Sequence, residues 1–370
     1  MNIKVCLIDP VGGKGGMDFY DYGLAIGLSK NDVKVYYFTC NQTKEIKINN
    51  VQTIFSFGDI WKKNKISKLL FLFKGYIKAF LFSKKKNIKH VHFQFFHLGF
   101  QNILVLVYAK FFGLKRIVTL HDIDSFRNKD SKLFQKFAFS LIDHFIVHNQ
   151  FSYEELKEKR IKKSKISIIP HGNYFPFVDK IEYQPKDQNM LKLLFFGQIK
   201  EVKGLDILIK AFAKASKSNK NLHLTIAGNP WGTSKEFYEN LIRELKIESI
   251  VNTTFAYIPN EDVNNYFEAC DIVVLPYKKI YQSGILLLSM SYGRVTLASD
   301  LEAFKEIIEH GENGFIFKSE DIDSLSKQIS SLAENKKTLK EVRDKAIITL
   351  KSKFDWVDIG LETKRIYEKD

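Results

Sequence analysis

The sequence predicts an α/β fold in which two domains of alternating strands and helices follow one another along the chain. Short apolar runs typical of buried strands alternate with segments whose apolar residues recur at helical spacing. A stretch with three turn or breaker signals and no periodicity, Tyr174 to Asn189, separates two such alternations and is interpreted as a linker. The length of 370 residues also exceeds what one hydrophobic core usually organises.

The first alternation opens with a strand over residues 3–9, a glycine-rich loop over 10–16 and an amphipathic helix from about Asp18 to Ser29. Strand, glycine loop and helix are the opening of a nucleotide-binding βαβ unit. The glycine spacing differs from G-x-G-x-x-G, so two interpretations stay open: a dinucleotide site, or a loop that lies close to a substrate or phosphate. Further strands are predicted over residues 33–39 and 51–55.

A basic segment follows, from Trp61 to Lys86, in which apolar residues recur at helical spacing between many lysines. Charge interrupts the segment too often for it to span a bilayer. One interpretation is a helix that lies on an anionic membrane surface, with its apolar side chains inserted and its lysines toward the headgroups. The other is a core-facing helix of the first domain with a solvated lysine face.

Three strands of the first domain are each followed by a histidine. His121 follows residues 116–120, His148 follows 145–147, and His171 comes just after 166–169. A strand over 91–95 and a helix over 103–112 precede them. Ligands bind at the carboxyl ends of strands in an open α/β sheet, and a histidine there can donate a hydrogen bond or act as acid or base. We expect these residues to form one side of a cleft, although a histidine that only caps a strand end is the plain alternative.

The second alternation has the same pattern. Strands are predicted over residues 191–196, 222–227 and 253–257, and helices over 205–215, 236–245 and 262–269. A loop rich in glycine and lysine, residues 197–204, follows the first of these strands. Two helices are predicted over about 322–350, and a final helix from Val357 to Tyr367.

The stretch from Asp271 to Gly314 carries the clearest binding signal. A buried strand, residues 272–275, is followed by a loop, and Ser283-Gly284 then opens an apolar helix. A helix start presents unpaired N–H groups and the positive end of a dipole, which suits an anion such as a diphosphate. The plain alternative is an ordinary βαβ unit in which Ser283 merely caps a helix. We expect the loop 197–204 and this helix start to face one anionic ligand.

Composition narrows the class of protein. With 45% hydrophobic and 27% charged residues the chain is globular. The net charge of +15 suits nucleic acid, an anionic membrane or phosphorylated ligands, or reflects a lysine-rich composition without functional meaning. Lysines are spread through both domains and aromatics do not interleave with them, which argues against nucleic acid. Three cysteines without paired spacing argue against a disulfide framework or zinc site and fit a reducing cytoplasm, and the start MNIKVCLID is interpreted as a strand rather than a secretion signal.

Several motifs make the chain resemble the glycosyltransferases of the GT-B fold usually called family 4, or group 1. The matching segments of the second domain are Gly197 with residues 200–206, residues 226–228, residues 269–277, and Ser299-Asp300 with Glu306 and residues 311–314. In the first domain the glycine loop and residues 120–122 and 169–172 also fit. The resemblance implies two Rossmann-like domains that face each other across a cleft. Residues 1–174 would form the acceptor-side domain, 190–350 the nucleotide-sugar domain, and 351–370 a helix that crosses back to the first.

The resemblance also implies roles for individual residues. His121 would lie beside the transferred sugar, and Lys203, with Lys200, would neutralise the diphosphate; His121 and Lys203 are the predicted catalytic residues. Charge that develops on the leaving diphosphate makes such donors catalytic as well as binding groups. Neither a metal nor a cofactor is expected, because lysine and the helix dipole replace the metal. The other predicted donor-binding residues are Gly13, Gly15, Gly16, Gly197, Tyr257, Ile258, Ser283, Gly284, Ile285 and Glu306.

The chain departs from the family pattern at two places. The family often has two glutamates eight positions apart in the central stretch, whereas this chain has no glutamate at residues 280–282 and has Leu288 at the second position. The family's phosphate-binding arginine is also absent, and Gln198 stands there. These changes bear on the contacts to the sugar and on the stereochemical course.

The implied function is transfer of a hexosyl group from a nucleotide sugar, such as a UDP- or GDP-sugar, to a lipid-linked or oligosaccharide acceptor. We expect a retaining, metal-independent enzyme of bacterial capsule, O-antigen (lipopolysaccharide) or exopolysaccharide synthesis. It would be cytoplasmic and peripheral on the inner membrane surface through Trp61–Lys86. The alternatives are a nucleotide-sugar epimerase or phosphorylase of the same architecture and a catalytically weak, basic membrane-binding relative.

Overall fold

The computed structural model describes residues 3–13, 16–96, 98–121, 132–178 and 190–369, without the side chains of residues 132–135. The chain divides into two compact units, Met1–Gly172 with Phe354–Asp370, and Asn173–Lys353. The first unit therefore takes in the last helix of the chain as well as the N-terminal domain. Most of the predicted linker, residues 179–189, lies outside the described residues.

The first unit contains a seven-stranded sheet in the order β3-β2-β1-β4-β5-β6-β7, and every neighbouring pair is parallel. The strands are β1 (Lys4–Ile8), β2 (Lys34–Phe38), β3 (Val51–Ile54), β4 (His90–Phe95), β5 (Lys115–Leu120), β6 (His144–Val147) and β7 (Ile166–Ile168). Most of their residues are buried, as expected for a parallel sheet covered by helices on both faces.

Six α-helices belong to the described part of this unit. They are α1 (Met17–Lys30), α2 (Lys65–Lys85), α3 (Phe100–Phe111), α4 (Lys132–Ser140), α5 (Gln150–Glu158) and α13 (Trp356–Glu368). Neither α4 nor α5 is predicted from the sequence. Both are short, and α5 begins directly after a strand end because the Asn149 side chain accepts a hydrogen bond from Ser152 N.

The last helix, α13, packs closely on α1 through glycines. A Cβ atom on Gly27 would lie 1.8 Å from the carbonyl oxygen of Trp356, and one on Gly360 would lie 2.1 Å from the carbonyl carbon of Gly27. Cβ atoms on Gly23 and Gly172 would lie 2.2 Å and 2.3 Å from the Trp356 ring. The two helices can therefore approach this closely only because these positions lack side chains.

The second unit contains a six-stranded parallel sheet in the order β10-β9-β8-β11-β12-β13. The strands are β8 (Leu191–Phe196), β9 (Leu222–Ala227), β10 (Val251–Thr254), β11 (Ile272–Leu275), β12 (Val295–Ser299) and β13 (Phe315–Phe317). The predicted strand 253–257 is thus displaced toward the N-terminus. It ends where it does because Gly228 N donates to the Thr254 carbonyl, which closes the pairing with β9.

The helices of the second unit are α6 (Leu205–Ser218), α7 (Lys235–Glu244), α8 (Asn260–Glu268), α9 (Gly284–Ser291), α10 (Glu302–Lys305), α11 (Ile322–Glu334) and α12 (Thr338–Lys353). The short elements α10 and β13 are not predicted from the sequence. In both sheets the strand order reverses beside the first strand, between β1 and β4 and between β8 and β11. Ligands of open α/β sheets bind at such reversals, outside the carboxyl ends of the strands.

Candidate functional site

The strand-order reversal of the second sheet brings together the loop after β8 and the start of α9. Gly197, the first residue after β8, has a φ of +101°. A Cβ atom there would lie 3.5 Å from Ile285 Cδ1 and 3.7 Å from the Lys203 ammonium nitrogen, Nζ. Glycine therefore keeps open a small space that Lys203 and the first turn of α9 both border.

The loop that carries Lys203 is fixed to the loop after β11. Gly204, with a φ of +63°, approaches so closely that a Cβ atom would lie 2.0 Å from the Pro276 carbonyl oxygen. Lys278 N donates to the Val202 carbonyl at 2.8 Å, and the Lys278 ammonium pairs with Asp206 at 3.4 Å. The position of Lys203 is thus set by backbone contacts on both sides of it.

Lys203 is a desolvated cation. Its Nζ lies 5.3 Å from the centroid of the Tyr277 ring, which is itself buried. Burial lowers the pKa of Lys203 to about 8. Within the part of the chain that the structure describes, no carboxylate lies within ion-pair distance of it. A half-buried lysine without an acidic partner at a ligand-binding sheet edge is suited to an anionic ligand.

The N-terminus of α9 adds N–H donors to the same space. Ser283 caps the helix, with its Oγ 3.3 Å from Leu286 N. The N–H groups of Gly284 and Ile285 have no partner within the helix, because the first turn of any α-helix leaves its donors unpaired. A Cβ atom on Gly284 would lie 2.9 Å from Tyr174 Oη, so a larger residue there would have to displace the tyrosine hydroxyl. Lysine and helix N-terminus together present donors that suit an anion, and a diphosphate at this place stays a prediction.

The remaining predicted donor residues of this unit lie nearer the surface. Lys200 is exposed just before the 3₁₀ turn that contains Lys203, and Glu306 is exposed directly after α10. Tyr257 is 66% exposed, and Ile258 is half-buried. Their roles in nucleotide binding stay predictions.

The glycine loop of the first unit is shaped by a buried carboxylate. Asp9 accepts hydrogen bonds from Val11 N at 2.9 Å and Gly12 N at 2.8 Å. Gly13 N donates to Thr43 Oγ1 at 3.2 Å. These three N–H groups therefore already have acceptors inside the protein, and the loop is held by its own hydrogen bonds.

The diphosphate role of the first-domain glycines stays a prediction. Gly13 packs against the chain, since a Cβ atom there would lie 2.3 Å from the Gln42 carbonyl oxygen. Gly16, with a φ of +79°, immediately precedes α1. Gly15 lies outside the described residues.

Acidic groups lie beneath this loop. Asp9 and Asp21 are fully buried, and Tyr37 Oη donates to Asp21 Oδ2 at 2.8 Å. Burial raises the pKa of Asp9 to about 6; burial and then the charge of Asp9 raise the pKa of Asp21 well above its ordinary value. The two carboxyl groups therefore hold a proton between them near neutral pH.

The three strand-end histidines lie together around one tyrosine. The Tyr20 ring centroid is 4.8 Å from that of His121, 5.3 Å from His148 and 5.0 Å from His171. Trp356 of α13 closes the cluster, 5.6 Å from Tyr20. Burial lowers the pKa of His148 to about 3 and that of His171 to about 4. Burial, and then His148, also lowers the pKa of His121 well below its ordinary value, so all three are neutral at physiological pH.

His121 is oriented by two neighbours. Its Nδ1 lies 3.3 Å from His148 Nε2, and its Nε2 lies 2.9 Å from Gln94 Oε1. His148 in turn donates from Nδ1 to the Ile169 carbonyl at 2.9 Å. Both ring nitrogens of His121 therefore already have partners inside the protein, and a sugar hydroxyl could hydrogen-bond to the imidazole only by displacing Gln94 or His148. Asp122, which follows His121 in the predicted motif, lies outside the described residues.

Two sequence profiles match the chain. That of the group 1 glycosyl transferases matches residues 179–348, and that of glycosyltransferase family 4 matches residues 14–172. The chain belongs to the family 4, group 1 glycosyltransferases. It is therefore a glycosyltransferase by family, and the predicted resemblance is confirmed in both domains.

Named relatives agree with this assignment. An uncharacterized glycosyltransferase of Haemophilus influenzae is 29% identical over 42% of this chain and 42% of its own. One of Methanocaldococcus jannaschii is 25% identical over 80% of this chain and 71% of its own. A GDP-mannose:glycolipid 4-beta-D-mannosyltransferase of Xanthomonas campestris is 30% identical over 40% of this chain and 41% of its own. The first and third matches thus span about two fifths of the relative's length.

Solved structures share the fold. A sucrose-phosphate synthase from Thermosynechococcus elongatus superposes with a TM-score of 0.77 at 16% identity, over 99% of this chain and 98% of that one. Anabaena HepE, solved in complex with UDP and glucose, superposes with a TM-score of 0.73 at 16% identity over both chains in full. The predicted α/β fold of the GT-B type is confirmed.

The candidate site of this glycosyltransferase also contains residues that are not predicted from the sequence. Tyr277, Tyr174 and Gln94 contact Lys203, Gly284 and His121 respectively, yet none of the three is a predicted site residue. Gln94 carries a partial signal, because it follows His90 and His92 as every second residue of β4, a strand whose residues are all buried. Among the described helices, none is both long and apolar enough to cross a membrane.

Proposed function

We propose that this glycosyltransferase moves a hexosyl group from a nucleoside-diphosphate sugar to a lipid-linked or oligosaccharide acceptor in bacterial surface polysaccharide synthesis. Family membership supports the reaction type. The relative named for a GDP-mannose donor and a glycolipid acceptor, and the fold neighbour solved with UDP and glucose, support the classes of donor and acceptor. Under this proposal the second domain binds the donor and the first binds the acceptor.

The observation that carries the proposal is the position of Lys203. It is a desolvated cation that borders the same space as the N-terminus of α9. When the bond between the sugar and the diphosphate breaks, negative charge grows on the leaving phosphate oxygen. Lys203 Nζ and the N–H groups of Gly284 and Ile285 would stabilise that charge in a site of low dielectric constant. This arrangement supplies the charge stabilisation that a metal ion gives in other phosphate sites, and we propose that transfer is metal-independent.

His121 is the proposed group on the acceptor side. It is neutral and held by Gln94 and His148 at the end of β5. A hydroxyl of the transferred sugar or of the acceptor would bind to it in place of Gln94 or His148. We expect retention of the anomeric configuration from the family resemblance, and NMR analysis of the product would identify the configuration.

A transfer assay tests the proposal. Purified enzyme is incubated with radiolabelled UDP- and GDP-hexoses, with and without a lipid extract from polysaccharide-producing bacteria. We expect label in a lipid-soluble product from one donor only. Lys203→Ala should lower the rate of label transfer at least about 100-fold, the usual effect of removing one charge-stabilising donor. Conversion of the donor sugar without any acceptor would instead identify an epimerase. Label transfer that Lys203→Ala leaves unchanged would refute the proposed site.

A further inference from the structure

The strand-order reversal of the first sheet contains a cavity that the donor site does not use. Its volume is about 190 Å³, and it lies between the glycine loop, the end of β4 and the helices α2 and α3. Most of its wall is apolar or aromatic. The wall residues that matter most are Trp61, Leu69, Leu72, Phe73, Tyr76 and Phe95.

The apolar wall continues onto an exposed surface. Leu69 lines the cavity and is 37% exposed, and Ile66, one helical turn earlier on α2, is 78% exposed. Phe73, one turn later, lines the cavity and lies 6.3 Å from the Tyr108 ring of α3, which is 45% exposed. A hydrocarbon chain could therefore pass from this surface into the cavity without crossing a polar barrier.

Two polar groups reach the same cavity. Lys68 lines it and holds its ammonium 3.6 Å from the centroid of the Trp61 ring. Trp61 in turn donates from Nε1 to the Val11 carbonyl at 3.1 Å, which ties this corner to the glycine loop. Gln94 lines the cavity from its inner side and is 3% exposed.

Gln94 contributes a buried amide group to the wall of the cavity. One end of its amide contacts His121, and the other end, Nε2, is buried and has no hydrogen-bond partner within the described residues. A buried polar atom without a partner is costly in a folded protein, and a bound ligand hydroxyl would satisfy it. The cavity therefore offers an apolar wall, a cation and one unsatisfied polar atom beside the proposed acceptor-side histidine.

We propose that this cavity binds the lipid-phosphate end of the acceptor, with the hydrocarbon chain against Leu69, Leu72 and Phe73 and the phosphate at Lys68. The inference rests on the proposed function, since it names the acceptor of that reaction as a lipid phosphate. The chain enters from the exposed side of α2, so the phosphate and the sugar attached to it point inward. A sugar hydroxyl then meets Gln94, next to His121. A free oligosaccharide would leave the apolar wall unused.

The test is binding of farnesyl phosphate, below its micellar concentration and without vesicles, by equilibrium dialysis of the full chain. Leu72→Trp fills the cavity, and we expect it to weaken binding at least about tenfold, a loss of about 1.4 kcal/mol. Leu81→Trp on the same helix, at a residue that is 55% exposed and outside the cavity wall, should bind like the wild type. Lys68→Met should weaken binding of farnesyl phosphate but leave binding of farnesol unchanged.

Several outcomes would overturn the proposal. The first two are undetectable binding of farnesyl phosphate to the wild type and binding by folded Leu72→Trp that equals the wild type. The others are a loss of binding in Leu81→Trp as large as in Leu72→Trp, and competition by inorganic phosphate as strong as that by farnesyl phosphate. Circular dichroism establishes that each variant is folded. Lys203→Ala should bind farnesyl phosphate like the wild type. A failure of nucleotide binding would therefore reject the donor proposal and leave this test intact.

Discussion

The ammonium nitrogen of Lys203 lies 5.3 Å from the centroid of the Tyr277 ring. Lys203 follows β8, and Tyr277 follows β11, the neighbouring strand of the same sheet. The ring gives the cation a favourable electrostatic partner without neutralising it. Lys203 is half-buried, and this partial loss of hydration lowers its pKa to about 8. A diphosphate would offset that loss. Donor binding and the protonation of one lysine are therefore coupled.

Nucleotide affinity should fall above pH 8. The Lys203 ammonium is charged below its pKa of about 8 and loses its proton above it, whereas a bound diphosphate favours the charged form. Between pH 7 and pH 9 we expect about a tenfold loss of affinity for the preferred nucleoside diphosphate, measured by isothermal titration calorimetry. Lys203→Arg keeps its charge throughout this range and should show a nearly flat profile. A wild-type affinity that is equal at both pH values would contradict this assignment.

The stability deficit of His148→Gln relative to the wild type should be smaller at acidic pH than at neutral pH. The pKa of His148 is about 3 in the folded protein and about 6.5 when unfolded, so the unfolded state binds the proton first as pH falls. The wild type should thus lose about 2 kcal/mol of unfolding free energy between pH 7.5 and pH 5 through this residue. Urea unfolding of both proteins at both pH values measures the difference. Asp9 and Asp21 titrate in both proteins, so their contributions cancel in the difference between the two. A stability deficit independent of pH would contradict the prediction.

Gly27→Ala should destabilise the first domain. The new methyl group would lie 1.8 Å from the Trp356 carbonyl oxygen, so α13 would have to move away from α1. Overpacking of this kind typically costs about 1–3 kcal/mol, and we expect a value at the upper end because the contact is with backbone. Thermal unfolding monitored by circular dichroism measures it. Lys30→Ala, at the exposed end of the same helix, should change stability little. Equal stability of Gly27→Ala and the wild type would show that α13 does not pack as described.

The exposed side of α2 and α3 should bind anionic membranes. Ile66, Leu70 and Phe111 are 78%, 64% and 86% exposed, beside several lysines. In co-sedimentation with vesicles that contain anionic lipid, Ile66→Ser with Leu70→Ser should lower binding about tenfold or more, because two apolar side chains no longer insert. Ile348→Ser, at a residue that is 64% exposed in the second domain, is the matched control. Equal binding to uncharged vesicles, or no effect of the double substitution, would contradict a basic membrane-binding face.

The two sheets could be predicted because parallel strands buried on both faces appear as apolar runs, such as Ile272–Leu275 and Leu191–Phe196. The helix start at Ser283 and the lysine loop could be predicted because caps and glycines are local signals. Short elements such as α5 and β13 are not predicted, because segments of nine and three residues show too little periodicity. Tyr277 and Gln94 were missed for another reason. A tyrosine or glutamine in sequence does not reveal which cation or histidine it will meet.

The donor site itself is tested most directly by nucleotide-induced stabilisation. UDP-, GDP- and dTDP-sugars are screened by thermal shift against the wild type, Lys203→Ala and Lys210→Ala, the last an exposed lysine of α6. A ligand at about 100 times its dissociation constant adds about 2.7 kcal/mol to the free energy of unfolding of the domain that binds it. We predict that one nucleotide sugar raises the melting temperature of the wild type and Lys210→Ala, but not of Lys203→Ala. Equal stabilisation of Lys203→Ala would contradict the proposed site.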